Sequence, residues 1–150
     1  MKNIVIAVMF LFTVSTFAQE TTWLTDYNQA AKLAKKTNKP ILANFTGSDW
    51  CGWCKVLDKE VFSTPEFAKW AKKNVILLTV DFPRRTKLSP ELQKQNYALQ
   101  KAFGVRGYPT IWLFEPGKGD NPKKDIKPLG KIGYVRGGVK KWIASIEKYL

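Results

Sequence analysis

The chain has 150 residues, which is enough to bury one core of ordinary size and leaves little room for a second domain. Its 25 lysines and arginines outnumber its 12 aspartates and glutamates, and the resulting net charge of +13 favours contact with acidic surfaces. No aromatic and basic recognition motif accompanies this charge, so we expect no nucleic-acid partner.

The first residues have the pattern of an export signal. Lys2 supplies the positive end, residues 4–12 are almost wholly apolar, and Ala18 ends a small-residue cleavage site. The alternative is a retained membrane anchor, but the uncharged stretch from Asn3 to Gln19 is short for a bilayer span. We therefore expect a signal peptide at 1–18, a mature domain at 19–150, and a periplasmic or secreted location.

The first half of the mature chain alternates helix and strand. Thr25 or Asp26 can cap a helix that Pro40 ends, and residues 41–45 form a short apolar run of strand length. After the turn formers at 47–49, the sequence predicts two helical pieces or one kinked helix from Cys54 to Lys73, with a capped restart at 63–66.

The second half continues this alternation. We predict a buried strand at 75–80, an irregular basic stretch at 82–88, a helix at 89–103, a strand at 110–114, its hairpin partner at 131–135, and a last helix from Val139 to Leu150. Gly130 and Gly133 should mark a bulge or a close backbone approach. The two densest basic clusters are 84–87 and 118–131. This order of elements predicts an α/β fold with a central mixed sheet flanked by helices.

The chain has two cysteines, Cys51 and Cys54, where the first strand passes into a helix. A structural disulfide normally closes a longer loop. A zinc site would need two further ligands, and the chain has no other cysteine and no histidine. At a helix start, free N–H groups stabilise a thiolate, so we expect Cys51 to be solvent-facing and reactive. Cys54, one turn further, is placed to attack a mixed disulfide on Cys51.

Trp50 and Trp53 flank these cysteines and offer flat apolar surface for a docked peptide. Plain core packing is the alternative for each tryptophan. The segment Trp-Cys-Gly-Trp-Cys-Lys at 50–55, with Gly-Val-Arg-Gly-Tyr-Pro-Thr at 104–110, resembles the thioredoxin family over residues 25–150. The insertion at 47–50 is similar to exported bacterial thioredoxin-like disulfide reductases, including the C-terminal domain of the transmembrane disulfide reductase of the periplasm.

The resemblance implies a thioredoxin fold in which Cys51 is the nucleophile and Cys54 the resolving thiol. It also implies that Pro109 is a cis-proline facing the cysteines. Tyr108 would then offer backbone hydrogen bonds to an extended substrate strand, and Gly133 would keep that groove open.

The sequence departs from the family beneath the cysteines. Where cytosolic thioredoxins hold a buried aspartate paired with a lysine, Asn44 and Leu77 stand. The proton acceptor for the resolving thiol is thus open among Asp49, Asp58, Glu60 and water.

The expected activity is thiol-disulfide exchange, in the direction that reduces protein disulfides outside the cytoplasm. Strongly oxidising relatives place a histidine between the cysteines, and this chain has none. We expect a monomer that uses protein thiols and disulfides as partners, a membrane electron donor, and no cofactor or metal. The alternatives are a disulfide oxidase or isomerase, a peptide-binding chaperone, and a cuprous-ion carrier.

Overall fold

A computed structural model of the protein describes residues 22–117 and 126–150. The expected signal peptide at 1–18 and the lysines at 118, 123 and 124 lie outside the described residues. In chain order the elements are α1 (Tyr27–Thr37), β1 (Ile41–Thr46), α2 (Gly52–Leu57), a π-helical turn (Asp58–Phe62), α3 (Pro65–Asn74), β2 (Ile76–Asp81), α4 (Pro90–Ala102), β3 (Thr110–Glu115), β4 (Lys127–Ile132) and α5 (Gly138–Glu147).

The four strands form one sheet in the order β2-β1-β3-β4. β2 runs parallel to β1, whereas β3 is antiparallel to both β1 and β4, so the sheet is mixed, as predicted. α1 and α4 pack on one face around Phe45, and α2, α3 and α5 pack on the other face around Leu42. This arrangement confirms the thioredoxin fold. Among the described residues, no helix has the length and apolar character needed to span a membrane.

Three helices begin at the polar residues that the sequence indicated. The side chains of Asp26, Thr64 and Ser89 each accept a hydrogen bond from the backbone N–H three residues later, at 2.8, 3.3 and 3.2 Å. These caps satisfy donors that have no partner inside the helix. α1, α3 and α4 therefore start where local chemistry specifies.

The predicted hairpin partner of β3 is present as the antiparallel strand β4, but it covers Lys127–Ile132 and not 131–135. Its pairing with β3 shifts register between Leu113 and Phe114, which leaves Leu129 as an extra, bulged residue. β4 is an edge strand, and an edge tolerates the proline and the glycine that it contains.

The predicted bulge is present beside Gly130, and a Cβ there would also overlap the ring of Tyr149. The C-terminal residue departs from the prediction. Leu150 was expected to continue the apolar face of the last helix, but α5 ends at Glu147 and Leu150 is exposed. The face is made by Trp142 and Ile146, which are fully buried.

Candidate active site

Strand β1 and a tight turn deliver the two cysteines to the start of α2. The backbone N–H of Cys51 donates to the carbonyl of Gly47 at 2.8 Å, and this bond closes the turn. Cys51 is the N-cap of α2, and its sulfur accepts a hydrogen bond from the backbone N–H of Cys54 at 3.2 Å. The two cysteines form a disulfide with their Cα atoms 5.3 Å apart. The spacing that predicted a redox pair is therefore realised as a bond.

The expectation that only Cys51 faces solvent is wrong for this disulfide form. Cys51 and Cys54 are equally buried, each with 6% of its surface exposed. What distinguishes them is their place in the helix: Cys51 is the N-cap of α2 and accepts an N–H, whereas Cys54 lies inside the first turn.

Trp50 is fixed by contacts on three sides. Its indole N–H donates to the carbonyl of Phe82 at 2.8 Å, and the guanidinium of Arg84 lies 3.9 Å from the ring centroid. Its ring meets the ring of Tyr108 edge-on, with centroids 5.8 Å apart. A Cβ on Gly47 would overlap the indole, so only glycine fits there. Trp50 thus forms a wall beside Cys51 while remaining partly exposed.

Trp53, between the cysteines, is the most exposed large apolar side chain of the described residues, with 57% of its surface open. Its ring lies 5.2 Å from that of Tyr134. The Tyr134 hydroxyl donates to the carboxylate of Glu60 at 2.6 Å, and this bond raises the pKa of Tyr134 because it stabilises the protonated phenol. The core-packing alternative does not apply to Trp53.

The other three residues expected at the site are Tyr108, Pro109 and Gly133, and the ring of Tyr108 contacts that of Trp50. The peptide bond between Tyr108 and Pro109 is cis. A Cβ on Gly133 would lie 3.4 Å from the carbonyl oxygen of Pro109, so the two loops run close together. The carbonyl of Gly133 accepts the indole N–H of Trp142 at 3.1 Å, which ties its loop to α5.

The thioredoxin-like domain family matches residues 27–127. The chain belongs to this family. It is 29% identical to the disulfide bond reductase DsbH of Chlamydia pneumoniae over 124 residues, which are 83% of this chain and 70% of DsbH. It is 41% identical to the thiol:disulfide interchange protein DsbD of Haemophilus influenzae over 88 residues, 59% of this chain but 13% of DsbD. It therefore spans only a small part of DsbD.

A solved structure of a DsbH oxidoreductase is similar over nearly the whole length. Its TM-score to this chain is 0.79 at 26% identity, and the match covers 96% of this chain and 94% of that one. This similarity shows that the chain and the DsbH oxidoreductase share the thioredoxin-like fold.

A cavity of about 390 Å³ opens behind Cys54 of this thioredoxin-like domain. It is lined by Trp23, Asn44, Thr46, Ser48, Cys54, Lys55, Asp58, Phe62 and Thr79. On the neighbouring strand β2, Thr79 is in register with Asn44, and Leu77 is in register with Leu42. The buried Oδ1 of Asn44 has no hydrogen-bond partner among residues 22–117 and 126–150.

Asp49, the residue before Trp50, anchors the basic segment at 84–86. The carboxylate of Asp49 accepts hydrogen bonds from the backbone N–H groups of Arg84, Arg85 and Thr86, at distances from 2.7 to 3.2 Å. These bonds, with that from Arg84 largest, lower the pKa of Asp49. The sequence indicated the basic cluster but gave no sign of this anchor, because the partners are 35 to 37 residues apart.

Two of the three acidic candidates for the proton acceptor are therefore engaged elsewhere. Asp49 holds the basic loop, and Glu60 accepts the hydroxyl of Tyr134. Asp58 lies one turn after Cys54 and lines the same cavity. Its carboxylate accepts only the hydroxyl of Ser63, at 3.2 Å, among the hydrogen bonds of the described residues.

Proposed function

We propose that this protein reduces disulfide bonds of other proteins outside the cytoplasm. It is a thiol-disulfide oxidoreductase of the type to which DsbH and DsbD belong. The observation that carries the proposal is the Cys51–Cys54 disulfide at the start of α2, with the N–H of Cys54 directed at the sulfur of Cys51. This geometry stabilises a thiolate on the first sulfur and keeps the second within bonding distance.

In the proposed reaction, the reduced protein attacks a client disulfide. The Cys51 thiolate forms a bond to one client sulfur while the client S–S bond breaks, and the other client sulfur leaves as a thiolate that takes a proton. Cys54 then loses its proton and attacks Cys51, which releases the second client thiol. The client gains two electrons and two protons, and the protein ends with the Cys51–Cys54 disulfide.

We infer that Asp58 accepts the proton of Cys54 in the second step. It shares the cavity with Cys54, and its carboxylate accepts only the Ser63 hydroxyl among the described hydrogen bonds. Asn44, deeper in the cavity, cannot take a proton. A carboxylate or a water it orients is the remaining acceptor on this side of the disulfide.

The client is expected to dock as an extended segment across the two loops that meet at Pro109 and Gly133. Gly133 leaves room above the carbonyl of Pro109, and Tyr108 contributes backbone polar groups. Trp53, which is exposed between the cysteines, offers apolar surface on the other side. Plain core packing remains the alternative for Trp50, whose indole N–H is already bonded to Phe82.

The direction of exchange is decided by the reduction potential. The chain has no histidine to stabilise the reduced form, which favours a reductase. Equilibration of the Cys51–Cys54 pair against glutathione or dithiothreitol measures this potential. A value near about −270 mV supports the reductase, and one near about −120 mV assigns an oxidase instead.

We also propose that residues 1–18 direct export, that the protein is a monomer, and that a membrane electron donor reduces the Cys51–Cys54 disulfide after each reaction. Cell fractionation of a C-terminally tagged chain tests the location. A Cys54→Ser variant keeps the attacking thiol and loses the resolving one, so it should trap clients as mixed disulfides that mass spectrometry can identify. Trapping by Cys51→Ser instead would reverse the order of attack.

A further inference from the structure

A second cavity, of about 590 Å³, is lined by Trp50 and by neither cysteine. Trp50 and Tyr108 form one wall, and the segment 82–88 with α4 forms the other. This volume is within the range of sites that hold small ligands or single side chains. Trp50 and Tyr108 directly precede Cys51 and Pro109 in the chain, so this wall of the cavity adjoins residues of the expected client groove.

The basic segment 82–88 is held in place. Asp49 binds three consecutive backbone N–H groups of this segment, and the indole of Trp50 binds the carbonyl of Phe82. The ring of Phe82 in turn packs against Tyr108, with centroids 5.3 Å apart. The segment therefore presents its side chains from a fixed backbone next to the active site.

Two cations of this segment, Arg84 and Lys87, line the cavity. In the part of the chain that the structure describes, neither has a carboxylate within 4.0 Å. The carboxylate of Asp81, also on the wall, already accepts the N–H and the hydroxyl of Ser48. The guanidinium carbon of Arg84 lies 3.9 Å from the centroid of the Trp50 ring. A guanidinium that stacks on an aromatic ring keeps its N–H edge available for a carboxylate.

We propose that this cavity is a subsite for the carboxylate of an aspartate or glutamate side chain in the client, close to the attacked disulfide. The inference rests on the proposed reductase function and names a client class for it: protein disulfides flanked by acidic residues. Arg84 would hold the carboxylate through its N–H edge, and Lys87 would add charge. The aromatic wall of Trp50, Tyr108 and Phe82 would cover the methylene groups of the side chain.

The test uses the full mature chain, reduced beforehand and freed of reductant, in single turnover. Its substrates are acetylated and amidated peptides with one internal disulfide that carry glutamate or glutamine at positions flanking the first cysteine. Acid quenching and mass spectrometry give the second-order rate constant for each peptide. We expect the wild-type protein to prefer the best glutamate peptide over its glutamine twin by about fivefold, as for a partly exposed ion pair.

The preference is the ratio of two rate constants, for the glutamate and the glutamine peptide, measured on the same protein. A general loss of activity in a variant lowers both rate constants and leaves this ratio unchanged. In the double variant Arg84→Gln with Lys87→Gln, the ratio should fall to about one. The matched control, Lys69→Gln with Lys73→Gln on α3, removes the same charge away from the cavity and should keep the ratio. Equal loss in both variants would assign the preference to the overall charge and overturn the subsite.

The experiment distinguishes failure of the carboxylate subsite from failure of the proposed reductase function. If the wild-type protein reduces both peptides at equal rates, the subsite is wrong and the reductase stands. If it reduces neither peptide, the proposed function itself fails. If free glutarate or inorganic phosphate inhibits glutamate and glutamine peptides alike, the cavity binds small anions and is not a client subsite.

Discussion

The backbone N–H of Cys54 points at the sulfur of Cys51, with the nitrogen and the sulfur 3.2 Å apart. Cys51 is thus the cap of the helix that contains its own redox partner. In the reduced protein the same N–H would stabilise a thiolate on Cys51, and it cannot act on the sulfur of Cys54 in the same way. The chemical difference between the two cysteines follows from this one contact, since their exposure is the same.

We expect the two single-cysteine variants to differ in reactivity. A Cys54→Ser protein, which keeps Cys51, should react with iodoacetamide at neutral pH about tenfold faster than a Cys51→Ser protein, because more of its thiol is ionised. Alkylation rates followed by mass spectrometry across a range of pH check this. Equal rates at every pH would remove Cys51 from the nucleophile role.

Gly47 should be required for the position of Trp50. In Gly47→Ala, the new methyl would overlap the indole, and the ring would have to leave Phe82 and Arg84. Overpacking of this kind costs about 1–3 kcal/mol of unfolding free energy. Chemical denaturation measures the loss. In the control, Gly52→Ala, the methyl meets nothing within 4 Å, so the stability should stay equal or rise.

Asp58 should affect the second step of exchange and not the first. Asp58→Asn keeps the shape and removes the basic oxygen next to Cys54, so release of a preformed mixed disulfide should slow about tenfold or more. Rapid quenching after mixing with a client peptide separates formation from release. Glu60→Gln removes a charge from the same turn, but its carboxylate is bonded to Tyr134, so release should be nearly unchanged. The same slowing in both variants would contradict the role of Asp58.

Local patterns were sufficient for the elements that place the cysteines. The apolar run that became β1, the turn formers after it and the N-cap residues of α1, α3 and α4 act within a few residues, so the sequence specified them directly. The predicted bounds of β4 differ from the observed ones because the position of this strand depends on its pairing with β3 and on a bulge. Its proline and glycine are tolerated because β4 lies at the edge of the sheet, which sequence alone does not show.

The surroundings of the disulfide needed the tertiary structure. Asp49 was one of three equivalent acidic candidates in the sequence, and only the folded chain shows that it anchors the basic segment. The residue opposite Asn44 is Thr79, which the sequence did not indicate because strand register is not set by sequence spacing alone. Motif spacing found the reacting atoms, whereas the groups that tune them come from distant segments.

The anchor at Asp49 predicts a loss of order in acid. Hydrogen bonds from Arg84, Arg85 and Thr86 favour the carboxylate, so the pKa of Asp49 is below its ordinary value of 3.8. For a depressed carboxyl pKa, the stabilisation is complete above the ordinary value and is lost as the pH falls through the folded value. The segment 82–88 should therefore stay fixed at pH 7 and pH 5 and loosen only in stronger acid.

Amide resonances of Arg84, Arg85 and Thr86 in an NMR titration report this directly. Their chemical shifts should change together, with a midpoint below 3.8, and the indole resonance of Trp50 should follow because Arg84 stacks on it. In Asp49→Asn the group that titrates is gone, so these shifts should stay constant over the same range. A midpoint at or above 3.8 in the wild-type protein would mean that the carboxylate does not hold the segment. Persistence of the transition in Asp49→Asn would assign it to another group.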